Sequence, residues 1–159
     1  MKAATIILFV MCLSGAVALA QGNGPSREQL RYDSLLARKT GADEFGMKEY
    51  VLAFLKTGPV KIQDSSQRAE VQRKHLQNIM RLAANGSLVL AGPFLDDQSL
   101  RGIFIFNVRT VEEAQALAET DPAVQAGLFV LEFHPWYGSA ALMEVTRIHK
   151  TIEKKSVAD

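Results

Sequence analysis

Hydrophobic positions along this chain switch between a two-residue period and one of roughly 3.6 residues, and the switches mark out its elements. Met47 to Thr57 predicts a strand. Tyr50, Leu52 and Phe54 point one way and Val51, Ala53 and Leu55 the other, so both faces are apolar and both need cover. Gly58-Pro59 closes it, and Lys61 to Asp64 is a polar loop. Ser65 or Ser66 caps a helix running to about Ala84, ended by Asn85-Gly86. Leu88 to Ala91 predicts a second strand, broken by Gly92-Pro93. A turn from Phe94 to Ser99 leads to a third, Gly102 to Val108, with Ile103 and Ile105 opposite Phe104 and Phe106. Thr110 and Glu113 form a capping box, and Val111, Ala114 and Ala118 make the stripe of the helix that follows. Asp121-Pro122 opens a short turn ending at Gly127. Leu128 to His134 is the fourth strand, with Phe129, Leu131 and Phe133 on one face and Val130, Glu132, His134 and Trp136 on the other.

The order is β-α-β-β-α-β, which predicts an α+β, ferredoxin-like domain with a four-stranded antiparallel sheet. Two further helices flank it. Ser26 and Gln29 resemble a capping box, with Leu30, Leu35 and Leu36 on a loosely amphipathic helix to about Lys39. Leu142, Val145, Ile148 and Ile152 predict a C-terminal helix within Ser139 to Lys155. The two core helices can cover only one face of the sheet, yet the central strands are apolar on both. At roughly 25 cal/mol per Å² of apolar surface, leaving that second face wet costs several kcal/mol. A homodimer packed sheet against sheet removes the cost. Cover by the two outer helices is the alternative.

Composition and charge change the picture at the N-terminus. Lys2 precedes an apolar run from Ala3 to Val17, and Ala18-Leu19-Ala20 has the small-x-small pattern of a cleavage site before Gln21. The run is short for a membrane span. The expectation is therefore a cleaved signal peptide and an exported protein, periplasmic or secreted, without a membrane anchor. Cleavage removes Cys12, so disulfides and thiolate chemistry are excluded from the mature chain. It also removes one of the 18 basic residues, leaving 17 against 17 acidic ones. No basic cluster exists, and the composition supports no nucleic-acid partner.

Candidate chemistry centres on a histidine. Val71, His75, Ile79 and Leu82 are spaced four, four and three, so His75 lies on the helix face that should pack against the sheet. It is either a hydrogen-bonded core residue or a general acid/base. Asp121, before Pro122, has the form of an N-cap, which leaves one carboxylate oxygen for another partner. His134 and Trp136 line either a pocket or the dimer seam. Gly92, Pro93 and Gly102 serve either turn chemistry or a close approach of backbone to a ligand. No two histidines have metal-ligand spacing, so no metal is expected, and no cofactor motif, phosphate loop or nucleophile elbow is present.

One family gathers these pieces. His75-Leu76, Asn85-Gly86, Leu90-Ala91-Gly92-Pro93, Arg101-Gly102-Ile103-Phe104-Ile105, the helix from Thr110 to Glu119, Asp121-Pro122-Ala123-Val124, Gly127 and Glu132-Phe133-His134-Pro135-Trp136 occur in order. Together, over about Tyr50 to Trp136, they resemble the YCII-related family. The resemblance implies a ferredoxin-like fold, dimers built as an α+β barrel, and pockets beside the sheet interface. It also implies a catalytic histidine–aspartate pair, which falls on His75 and Asp121. One relative acts as a dehydrochlorinase on an aromatic substrate, and most members have no established reaction. This chain departs from the family's compact form in its signal peptide, N-terminal helix and C-terminal extension.

The expected organisation is a signal peptide (1–20), a linker and accessory helix (21–46), the YCII-related domain (47–137) and a C-terminal helical extension (138–159). The expected function is a small-molecule enzyme, lyase or isomerase in type, using His75 and Asp121 for acid/base work. Gly92, Pro93, Gly102, His134 and Trp136 are expected near its ligand. The alternative is a non-catalytic ligand-binding or dimerisation module.

Overall fold

The structure, a computed structural model, describes residues 31–157. The signal-peptide segment and the Ser26–Gln29 cap lie outside the described residues. The chain divides after Tyr32, and the unit from Asp33 onward carries the sheet and its helices.

Four strands, β1 (Met47–Thr57), β2 (Leu88–Pro93), β3 (Leu100–Phe106) and β4 (Phe129–Ser139), form one antiparallel sheet in the order β2-β3-β1-β4. With α2 (Ser65–Ala84) between β1 and β2 and α3 (Val111–Ala118) between β3 and β4, this is the ferredoxin-like arrangement. The alternation on β1 and β3 sorts their side chains as the pattern requires. Val51, Ala53, Leu55, Phe104 and Phe106 pack beneath the helices with Leu82, Leu88, Ala114 and Ala118. Tyr50, Val89 and Ile105 form a second, smaller core on the other face.

Several boundaries move from their sequence expectation, each for a local reason. α2 is capped by Asp64, not by Ser65 or Ser66: its carboxylate accepts from the Gln67 N–H at 2.7 Å and from the Ser66 hydroxyl at 2.6 Å. β2 runs through Gly92-Pro93 instead of breaking there. It is an edge strand, where a proline's missing donor is tolerated. Gly102 permits the pairing, because a Cβ there would lie 2.6 Å from the Gly92 carbonyl oxygen. β4, the other edge, continues past His134 through Pro135 and pairs with all of β1, from Thr57 opposite Phe129 to Met47 opposite Ser139.

The outer helices also differ. α1 spans Ser34–Thr40 with Asp33 as its cap, and it buries Thr40 while Leu35 and Leu36 stay exposed. Because β4 holds its pairing to Ser139 and the Ala140 N–H donates to the Gly46 carbonyl, the C-terminal segment starts as a 3₁₀ helix, Ala140–Glu144. Only then does it become α5, Val145–Ile152. Leu142 and Met143 of the 3₁₀ helix pack on the second core. The chain's own C-terminal segment therefore covers one end of the second sheet face. At the other end His134 stands edge-on to Phe54 at 5.7 Å, and Val130 is half exposed.

One polar contact ties the α1–β1 loop to β4: the Tyr137 hydroxyl donates to the Asp43 carboxylate. That bond holds the Tyr137 phenol up to about 12, from an ordinary 10.0, with burial and nearby carboxylates adding to the shift. The same bond, with the Met47 N–H, holds Asp43 below its ordinary range. Both shifts favour the neutral phenol on the ionised carboxylate. Their stabilisation is lost as pH rises from 10 through about 12 and, on the acid side, as pH falls below the ordinary Asp43 value of 3.8. Ultraviolet titration of the tyrosines is expected to show one group ionising near pH 12, moving back toward 10 in Asp43→Asn. An unchanged titration would show the bond absent in solution.

Candidate functional site

The stripe Val71, His75, Ile79, Leu82 turns α2 toward the sheet as its spacing predicts, with His75 and Leu82 buried and Ile79 packed against the core. His75 is 6% exposed and lies between rings. Phe104 of β3 stacks on it at 6.2 Å, and Phe129 of β4 tilts against it at 5.5 Å. An imidazole among aromatic rings needs a polar partner, since burying an unpaired polar group costs free energy.

Asp121 is that partner. It ends the α3 connection and caps α4 (Pro122–Gln125), and it is fully buried. Its two oxygens divide the work. Oδ1 accepts from the Ala123 N–H at 2.8 Å, and Oδ2 meets His75 Nδ1 at 2.8 Å. The N-cap role and the histidine contact, alternatives in the sequence, are thus held by one side chain at once. An ionised carboxylate only accepts, so the proton of a neutral imidazole sits on Nδ1 and the lone pair is left on Nε2. Among the described residues, Nε2 has no hydrogen-bond partner.

A second polar link runs beside the first. Asn78, one helical turn beyond His75, is buried, and its Oδ1 accepts from Arg81 Nη2 at 2.7 Å and lies 3.2 Å from the Thr120 hydroxyl. Arg81 Nη2 also donates to Thr120 Oγ1 at 2.9 Å. α2 is therefore fastened to residues 120 and 121 by two adjacent contacts. Among the described residues, Asn78 Nδ2 is the buried side-chain polar atom left unpaired. Sequence reasoning missed Asn78, Phe104 and Phe129. The signals existed, because Asn78 is three residues after His75 and the two phenylalanines fall on the helix-facing parity of their strands.

The other expected ligand residues are placed elsewhere. His134 and Trp136 lie on the opposite face of the sheet from His75: Trp136 packs on Tyr50 at 5.9 Å and His134 on Phe54. Gly92, Pro93 and Gly102 form the far edge, where β2 pairs with β3. Within one chain the structure brings together His75 and Asp121 and keeps the other five apart from them. Concavities open beside the sheet among the described residues. A cleft of about 420 Å³, with Asp43, Lys48, Glu49, Arg109 and Tyr137 in its wall, opens at the end of β1 remote from His75. A groove of about 370 Å³ lies between α3 and β4 and includes Phe129. The smaller one adjoins the buried pair, so proximity to the chemistry favours it over the larger. Among the described residues, no three His, Cys, Asp or Glu side chains gather as a metal site, and no helix is long and apolar enough to cross a membrane.

Comparison with known proteins places this geometry in a family. One similar solved structure is the 5-chloro-2-hydroxyhydroquinone dehydrochlorinase of Burkholderia phenoliruptrix AC1100, in complex with 2,5-dihydroxybenzoquinone. It is 25% identical over 55% of this chain and 92% of that one, with a TM-score of 0.42. No curated protein matches the chain significantly. The family model of the YCII-related domain matches residues 50–136, the segment that runs from β1 through the His75–Asp121 pair to β4. The chain belongs to the YCII-related family.

Proposed function

We propose that this protein is a small-molecule enzyme of the lyase or isomerase type, in which His75 Nε2 is the general acid/base and Asp121 orients the ring. The observation that carries the reading is the 2.8 Å contact from Nδ1 to a fully buried carboxylate, beside an Nε2 with no described partner. Such a carboxylate fixes the tautomer and stabilises the imidazolium that forms when Nε2 takes a proton. The flanking rings of Phe104 and Phe129 keep the pair dry, which strengthens its electrostatics. Membership of the YCII-related family supports the assignment of the two roles.

Acid/base lyases and isomerases share an early step, transfer of a proton between substrate carbon and a base. Deuterium exchange from D₂O into a panel of small carbonyl compounds with an acidic neighbouring C–H therefore tests the class before a substrate is known. Wild type is expected to catalyse exchange, and His75→Gln to lower the rate by about 10²- to 10⁴-fold. Ring ¹⁵N shifts of His75 should report the proton on Nδ1 in wild type and its redistribution in Asp121→Asn. Absence of exchange, together with an unaltered tautomer in Asp121→Asn, would hand the assignment to the second reading, a non-catalytic ligand-binding or dimerisation module.

A homodimer belongs to either reading. What supports it is the end of the second sheet face that the C-terminal segment leaves uncovered, where Val130 is half exposed and the exposed His134 stands against Phe54. Val130→Asp is expected to shift the sedimenting species from dimer to monomer. A wild-type protein that sediments as a monomer overturns the dimer. Export is proposed on residues 1–20 alone, and N-terminal sequencing of the exported protein should begin at Gln21.

A further inference from the structure

We infer that Phe129 is the gate to His75, and that the groove between α3 and β4 is the ligand's approach, shaped for an uncharged, largely apolar molecule carrying a hydrogen-bond donor. The inference deepens the acid/base reading and rests on it. At 6% exposure His75 offers a reactant only a narrow opening, so its neighbours decide how far that opening widens. Its neighbours differ in freedom. Asp121 is held by its cap hydrogen bond to Ala123 and is fully buried. Phe104 is 3% exposed on an inner strand and locked edge-on against Phe106 at 5.7 Å. Phe129 is only partly buried, stands first in an edge strand, and faces the groove. It touches the imidazole ring and forms part of the groove wall. Rotation of its side chain widens the path from the groove to the ring without disturbing the inner strands.

The groove's lining sets the chemistry of what enters. Val124, Phe129, Leu131 and Phe133 make an apolar wall, and about 370 Å³ is within the size range of small-molecule sites. The polar groups come from the end of α3: the Gln115 amide and the Glu119 carboxylate. Glu119 repels an anion and accepts from a hydroxyl or N–H, so a neutral donor-bearing molecule fits and a carboxylate or phosphate does not.

Carbethoxylation by diethyl pyrocarbonate, followed residue by residue by mass spectrometry, reads access to His75 independently of turnover. The exposed His149 serves as the internal reference. Phe129→Ala is expected to raise the His75 rate roughly tenfold by widening the opening, with His149 unchanged. Phe129→Leu, milder for the core, should raise it less, and amide NMR spectra confirm that each variant keeps its fold. Indole, a flat apolar probe with a single N–H donor, should protect His75 in wild type and shift the resonances of Phe129, Leu131 and Glu119. A His75 rate within twofold of wild type in the folded variant, or indole shifts confined to the cleft beside Tyr137, would overturn the gate. Because neither readout needs catalysis, the gate and the acid/base role fail separately: deuterium exchange can be absent while His75 still becomes accessible.

Discussion

The helical layer depends on the buried carboxylate of Asp121. A carboxylate removed from water must be paired, and breaking a buried pair by deleting one partner costs about 3–5 kcal/mol. Here the pairing comes from two directions, the α4 N-terminus through Ala123 and α2 through His75. The segment between α3 and β4 is therefore anchored to a helix more than forty residues earlier in the chain. Thr120, Asn78 and Arg81 repeat the link one position away. The result fixes the orientation of the His75 ring, and ring orientation is what an acid/base role requires.

The sheet sets a different constraint. Strands that are apolar on both faces oblige the fold to cover both, and α2 and α3 cover one. The 3₁₀ helix lays Leu142 and Met143 over part of the other, and Tyr50 reinforces that cover by donating its hydroxyl to the Ser139 carbonyl at 3.1 Å. Cover stops short of Phe54, Val130 and His134. The sheet itself thus separates two features. The buried His75–Asp121 pair lies among the helices, and the partly exposed Phe54, Val130 and His134 lie on the reverse.

Glycines show how the same fold tolerates close backbone approaches. Gly102 allows β2 and β3 to meet where a Cβ would strike the Gly92 carbonyl oxygen. Gly138 has no side chain beneath the Trp136 indole, whose atoms would lie 2.2 Å from a Cβ there. These glycines serve strand pairing and ring packing, which accounts for their places without a ligand.

By itself the sequence determined the order of elements, the alternation on β1 and β3, the Thr110–Glu113 cap and the placing of His75 on an inward face. All of these follow from short-range spacing, and a period of two or 3.6 residues is legible in any window longer than a turn. It also offered Asp121 as an N-cap, since Asp-Pro is a local signal. Tertiary structure decided the rest. Edge position let β2 run through Gly92-Pro93 and β4 through Pro135, because whether a strand has one neighbour or two is a property of the sheet. Strand parity put His134 and Trp136 opposite His75, although all three share one domain. The meeting of His75 with Asp121, Phe104 and Phe129 joins residues from four separate segments. Nothing in local spacing encodes such a contact, because it exists only once the helices have docked on the sheet.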